Sequence, residues 1–145
     1  CNGKNYHIIK SIIDIGIPVM GHIGFTPQYF KKFKVQGILE KDQKKLIDQA
    51  TKNQEIGVFS IVLECINSKT AKKITKTLKI PTIGIGASTH CDGQILVTDD
   101  MLGLSGFYPK FVRKFANLNN IIEIAVKKYK KAVTNNKFPN KKNTF

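Results

Sequence analysis

Two kinds of apolar segment alternate along the chain. "IPVMGHIG" (17–24), "VFSIVLECI" (58–66) and "IPTIGIGA" (80–87) are short and apolar at nearly every position, the pattern of strands buried on both faces. Between them, apolar residues recur at helical spacing. Ile8, Ile9, Ile12 and Ile13 share one face of a helix predicted over 4–15, with Gly16 as its C-cap. Leu46, Ile47, Ala50 and Ile56 do the same over 41–56, a helix ended by Gly57. Ala71, Ile74 and Leu78 face inward on a third helix, capped by Asn67 or Ser68 and running through Leu78. Thr26 at N-cap and Pro27 at N1 open a short helix or turn over 26–35. "QILVTDD" (94–100) reads as a fourth, shorter strand. A short helix over 108–116 and an amphipathic helix over 120–133 follow. The tail is polar, with Phe138 and Phe145 as its apolar anchors.

Alternating buried strands and amphipathic helices predict an α/β chain of parallel βα units. Four strands are too few for a closed barrel, since a complete (β/α)8 barrel takes about 250 residues. An open, doubly wound sheet fits the spacing equally. In either arrangement a site forms beyond the C-terminal ends of the strands.

Composition narrows the function classes. The net charge of +14 invites a nucleic-acid reading, but Arg113 is the sole arginine. Lysine lacks the guanidinium fork that reads bases and phosphates, and the lysines here are scattered among Ile and Asn rather than gathered in one stripe. A lysine-rich surface and a solvated basic tail are the simpler account, so no nucleic-acid partner is expected. Cys1, Cys65 and Cys91 fit neither a disulfide framework nor a zinc pattern, as expected of a reducing cytoplasm. No apolar run is long enough to span a membrane, and no signal peptide is visible. The chain opens on Cys1 without Met and enters a helical pattern within a few residues, as expected of a piece of something longer or a processed product.

Three strand ends carry candidate chemistry. Glu64 breaks the apolar run of the second. A carboxylate at the mouth of a buried strand is partly desolvated, which raises its pKa toward general-base work. A strand end that simply meets water or a lysine fits the pattern equally. His22 sits between glycines at the first strand end, where a structural role is the simpler reading. "GIGAS" (84–88) could hold an anion on backbone N–H groups, but it lacks the dinucleotide spacing, and glycines making room for neighbours is the plainer account. His90, Cys91 and Asp92 are adjacent in a loop and are not expected to converge on one metal. Asp99 and Asp100 are expected to cap the next short helix.

Taken in order, "GIPVMGHIGFTPQ" (16–28), "KVQG" (34–37), "FSIVLECI" (59–66), "IPTIGIGA" (80–87), "CDGQILV" (91–97), "PKFV" (109–112) and "FPNKKNTF" (138–145) resemble the ketopantoate hydroxymethyltransferase family over nearly the whole chain. The resemblance implies the C-terminal half of a (β/α)8 TIM barrel, strands five to eight. It divides the chain into a partial barrel over 1–117 and a closing helix with basic tail over 118–145. It implies hydroxymethyl transfer from 5,10-methylenetetrahydrofolate to 3-methyl-2-oxobutanoate, giving 2-dehydropantoate in pantothenate biosynthesis, with Mg²⁺. Glu64 would be the proton acceptor and His22 a supporting substrate contact. The Mg²⁺ ligands would lie in the missing N-terminal half, leaving no metal site in this chain. Its partners would be small-molecule substrates, that N-terminal half and further copies in a homo-oligomer, in the cytoplasm, with the isolated fragment inactive. Ser88, where the family usually has Gly, and the short link between Gln28 and Lys34 depart from the family pattern. An inactive remnant, a basic nucleic-acid-binding module and another metal-dependent α-keto-acid barrel enzyme are the competing readings.

Overall fold

The structure is a computed structural model that describes residues 5–26 and 34–145. The chain forms two compact units, Cys1–Ile95 and Leu96–Phe145. The first holds α1 (Tyr6–Asp14), β1 (Met20–Gly24), α2 (Glu40–Glu55), β2 (Ser60–Glu64), α3 (Ser68–Thr77), β3 (Thr82–Ile85) and β4 (Gly93–Gln94). The strands make one four-stranded sheet in the order β1-β2-β3-β4, every neighbouring pair parallel. Strand order follows chain order without reversal. The sheet is therefore singly wound, and the doubly wound alternative, which needs a switch in direction, is not what these four strands form.

Register separates the two faces. Gly21 and Ile23 pair with Ile61 and Leu63, which pair with Thr82 and Gly84. This face carries the core: Ile23, Ile61 and Leu63 cluster with Leu46 and Ala50 of α2, Ala71 and Ile74 of α3, and Ile66 and Cys91. Fully burying an aliphatic side chain contributes about 1.5–3 kcal/mol each, so this layer holds the unit together. Met20, His22, Ser60, Val62, Glu64, Ile83 and Ile85 alternate onto the opposite face. There Met20 is exposed, and His22, Val62 and Ile83 are half-buried.

The helices follow their sequence signals closely. Asn67 caps α3, its side chain accepting from the Lys69 amide. The inward faces of α2 and α3 are those expected, with Ile47 and Leu78 packed at the margin of the core. On α1 only Ile9 is buried, and Ile8 is exposed, at the edge of its apolar stripe. The turn or helix expected over 26–35 lies largely outside the described residues.

Three expectations fail for local reasons. The fourth strand spans Gly93–Gln94 rather than 94–100. Asp99 and Asp100 fall in the first turn of α4 (Thr98–Leu102), where acidic side chains favour the helix dipole, and Val97 rather than either aspartate is the N-cap. The stretch 108–116 is turns and bends, not a helix. A single bond from the Val112 amide to the Pro109 carbonyl is one turn without the propagation that repays helix nucleation.

The second unit holds α4 and α5 (Leu118–Thr134). Gly103 ends α4 at φ +75, and a Cβ there would lie 2.6 Å from the Ala116 carbonyl. The α5 helix has no buried residue, and Ile121, Ile122, Ile124, Val126, Tyr129 and Val133 are all exposed. Phe138 does anchor the tail, its ring edge-on to Tyr129 with centroids 5.5 Å apart, whereas Phe145 is exposed.

Candidate active site

β1 and β2 end together, with Gly24 and Glu64 as register partners. The pairing runs on past both ends: the Phe25 amide donates to the Glu64 carbonyl at 2.8 Å, and the Cys65 amide to the Ile85 carbonyl at 2.9 Å. Gly24 has φ +96, and a Cβ there would lie 2.1 Å from the Glu64 carbonyl oxygen. Only glycine lets the two strand ends approach this closely.

Immediately after Glu64 the chain bends. Cys65 takes φ 51, uncommon for a residue with a Cβ. Its conformation is held from two sides, by its own amide on Ile85 and by the Gln36 amide donating to its carbonyl at 2.8 Å. Gln36 accepts in turn from the Asn67 amide at 2.8 Å and bridges Ile66. The Thr70 hydroxyl, buried in α3, donates to the Gly37 carbonyl at 2.8 Å. The "KVQG" segment is thus stitched onto the exit of β2. Sequence reasoning placed no role on Gln36. Its one local signal was Gly37, which takes φ +71.

Glu64 is 8% exposed. Its Oε2 lies 3.0 Å from Nε2 of His22, and that same nitrogen lies 3.1 Å from the Phe25 carbonyl oxygen. Burial pushes the Glu64 carboxyl up from its ordinary range. Burial pushes the His22 imidazole down, against the opposing pull of the Phe25 carbonyl. Both shifts run away from an ion pair. The contact is therefore a hydrogen bond between the ring and the carboxyl rather than a charged pair. Cys65, buried beside it, has its thiol pushed up to about 11, by burial first and the Glu64 charge second. Thr26, two residues past the end of β1, is buried with its hydroxyl unpartnered; the sequence marked it only as an N-cap.

The other candidates disperse. Cys91 enters the core, and Asp92 accepts from the Thr82 amide at 2.8 Å and the Thr82 hydroxyl at 2.9 Å. His90 is exposed. In "GIGAS", the Ser88 hydroxyl accepts from the His90 amide and from Ser68, and its carbonyl accepts from Gln94. Gly84 makes room for Gln94 and Cys91, whose side chains would meet a Cβ there at 2.8 and 3.1 Å. A cavity of about 390 Å³ opens along α1 and α2, lined by Tyr6, Lys41, Lys44, Lys45, Asp48, Gln49 and Lys52. None of these residues belongs to the strand ends. Among the described residues no three His, Cys, Asp or Glu side chains converge on a point. Glu64 and His22 are a pair, and they do not fit a divalent cation.

A profile of the ketopantoate hydroxymethyltransferase family matches residues 2–141, across both units. The chain belongs to this family. Among its curated relatives, 3-methyl-2-oxobutanoate hydroxymethyltransferase of Pelagibacter ubique is 49% identical over 142 residues, 98% of this chain and 55% of the relative. The protein of that name from Bdellovibrio bacteriovorus is 48% identical over 97% of this chain and 55% of the relative. That from Clostridium beijerinckii is 53% identical over 94% of this chain and 51% of the relative. The chain spans about half the length of the ketopantoate hydroxymethyltransferases it matches. Among the described residues, no helix is long and apolar enough to cross a membrane.

Proposed function

We propose that this chain is the C-terminal half of a ketopantoate hydroxymethyltransferase barrel, both units belonging to it, and that Glu64 is its general base. The observation that carries this is a carboxylate buried at the C-terminal end of a parallel strand and hydrogen-bonded to His22, in a chain matching the family over residues 2–141. The singly wound sheet order suits a barrel segment, and strand C-termini are where barrels place their chemistry.

The substrates would be 3-methyl-2-oxobutanoate and 5,10-methylenetetrahydrofolate. Glu64 takes the proton from C3 of the keto acid, leaving an enolate and a neutral carboxyl. Water cleaves the two C–N bonds of the methylene bridge, giving tetrahydrofolate and a one-carbon unit at the formaldehyde level. The enolate carbon bonds to that carbon, and its oxygen takes back a proton to become the hydroxymethyl group of 2-dehydropantoate. Burial suits Glu64 to this, since a raised pKa makes it a stronger base than an exposed carboxylate. Mg²⁺ is part of the family chemistry that the sequence resemblance implies. Its ligands would come from the complementary half, and no step is assigned to it here. That half, fused or as a separate chain, is the required partner. A homo-oligomer in the cytoplasm is the expected setting.

The test is to co-express this chain with the complementary segment of the Pelagibacter ubique relative. Deuterium exchange at C3 of 3-methyl-2-oxobutanoate is then followed with Mg²⁺ present. Exchange is expected, and it is lost in Glu64→Gln. No exchange from a correctly assembled complex would leave the chain an inactive remnant. Exchange that persists in Glu64→Gln would move the base elsewhere.

A further inference from the structure

We propose that His22 is a positioning residue for Glu64 rather than a substrate ligand, and that it makes Oε1 the proton-accepting oxygen of the carboxylate. The inference rests on Glu64 being the base.

One ring nitrogen has two oxygen neighbours. Nε2 of His22 lies 3.0 Å from Oε2 of Glu64 and 3.1 Å from the Phe25 carbonyl. A carbonyl oxygen can only accept, so Nε2 must carry the proton. An unprotonated Nε2 accepting from a neutral Glu64 would set its lone pair against the Phe25 oxygen. The Phe25 carbonyl thereby fixes the tautomer, as backbone carbonyls commonly do for functional histidines. The carbonyl is itself fixed, because the Phe25 amide is bound to the Glu64 carbonyl at 2.8 Å. The ring is thus keyed to the backbone of the residue it serves.

With Oε2 engaged by an N–H donor, the carboxylate cannot rotate freely. Oε1 has no partner among the described residues. It is left as the basic oxygen. Donation from His22 stabilises the ionised carboxylate and restrains the upward push of burial. Among the described residues, the titratable groups at Glu64 are His22 on β1 and the adjacent Cys65 thiol on its own chain segment. The register partner on β3 is Ile85, which carries no charge. The Nε2–H is occupied by these two acceptors and is not left to reach a substrate.

Two readouts test this. In the 145-residue chain, ¹⁵N NMR at neutral pH is expected to show a neutral ring protonated at Nε2. A ring protonated only at Nδ1, or an imidazolium, would overturn the proposal. The second readout is the Glu64 carboxyl titration by ¹³C NMR, with C3 exchange in the reconstituted complex beside it. His22→Gln restores an N–H donor and should hold the Glu64 midpoint in place, with exchange within about threefold of the parent. His22→Phe removes the donor and should raise the midpoint by about one pH unit and slow exchange about tenfold, the worth of one hydrogen bond to a charged group. An unmoved midpoint in His22→Phe, with KM raised alike in both variants, would make His22 a substrate contact and sink the proposal. Failure of the base assignment reads differently: exchange then survives in Glu64→Gln whatever the His22 ring shows.

Discussion

Two carboxylates occupy opposite ends of the same sheet and are treated in opposite ways. Glu64 closes β2 at the C-terminal end, is buried, and meets a single side-chain donor, so burial lifts its pKa. Asp92 precedes β4 at the N-terminal end, is open to water, and is gripped twice by Thr82. The Thr82 amide first, then its hydroxyl, hold the Asp92 carboxyl below the usual range. Solvation and donor count, not residue type, set the two acids apart: one has its pKa lifted, as the proposed base requires, and the other is a clip between strands. The clip binds β3 to the start of β4 where the sheet is thinnest. The buried acid sits where ligands reach parallel sheets.

The contrast can be broken by experiment, and the largest effect belongs to Glu64. Glu64→Gln should slow C3 exchange in the reconstituted enzyme about a thousandfold, within the range for removal of a general base. Loss of less than tenfold would erase the distinction between the two ends. Next comes Cys65, whose thiol at about 11 reports burial beside Glu64. Its thiolate fraction at pH 7 is roughly 100-fold below that of an ordinary thiol, so alkylation should be more than about tenfold slower. Peptide-resolved mass spectrometry gives the rate. Labelling at free-thiol speed would mean this strand end is wet. Gly24→Ala should cost about 2 kcal/mol, since its Cβ would meet the Glu64 carbonyl at a backbone angle only glycine takes freely. Thermal unfolding of the reconstituted protein measures it, and an unchanged midpoint would show that the strand ends need not approach so closely.

Asp92→Asn is the smallest, below about 1 kcal/mol because the group is exposed and its pull is screened. Its sign is fixed by linkage. A depressed folded-state pKa stabilises above the unfolded value of about 3.9 and is lost as pH falls through the folded value. Parent and variant should therefore differ at pH 7 and converge in acid. A difference that grows in acid would reverse the assignment.

The chain wrote its βα rhythm openly, because burial on both faces makes a strand continuously apolar and burial on one face makes a helix periodic. Glu64 was visible for the same reason, as the one charge in such a run. Pattern could not reach features that depend on partners distant in sequence or on backbone angles. Gln36 binds the far side of Cys65, and Asp92 binds Thr82 across the β3–β4 connection. The shortness of β4, and the helix that begins at Thr98, were left undecided by "QILVTDD". His22 could be marked as a candidate, but its neighbour Glu64 could be found only through the register of β1 on β2.

The stitching of Gln36 onto Cys65 and Asn67 has a consequence for motion. Those two hydrogen bonds join the segment before α2 to the bend that follows Glu64. If the segment lifts as a local opening, the bend loses one of its two restraints, and the carboxylate loses its fixed aim without the core being disturbed. The free energy of that opening would set the fraction of time the proposed base is correctly aimed. Slow hydrogen exchange at the Gln36 amide would then be a property of the proposed site as much as of the fold.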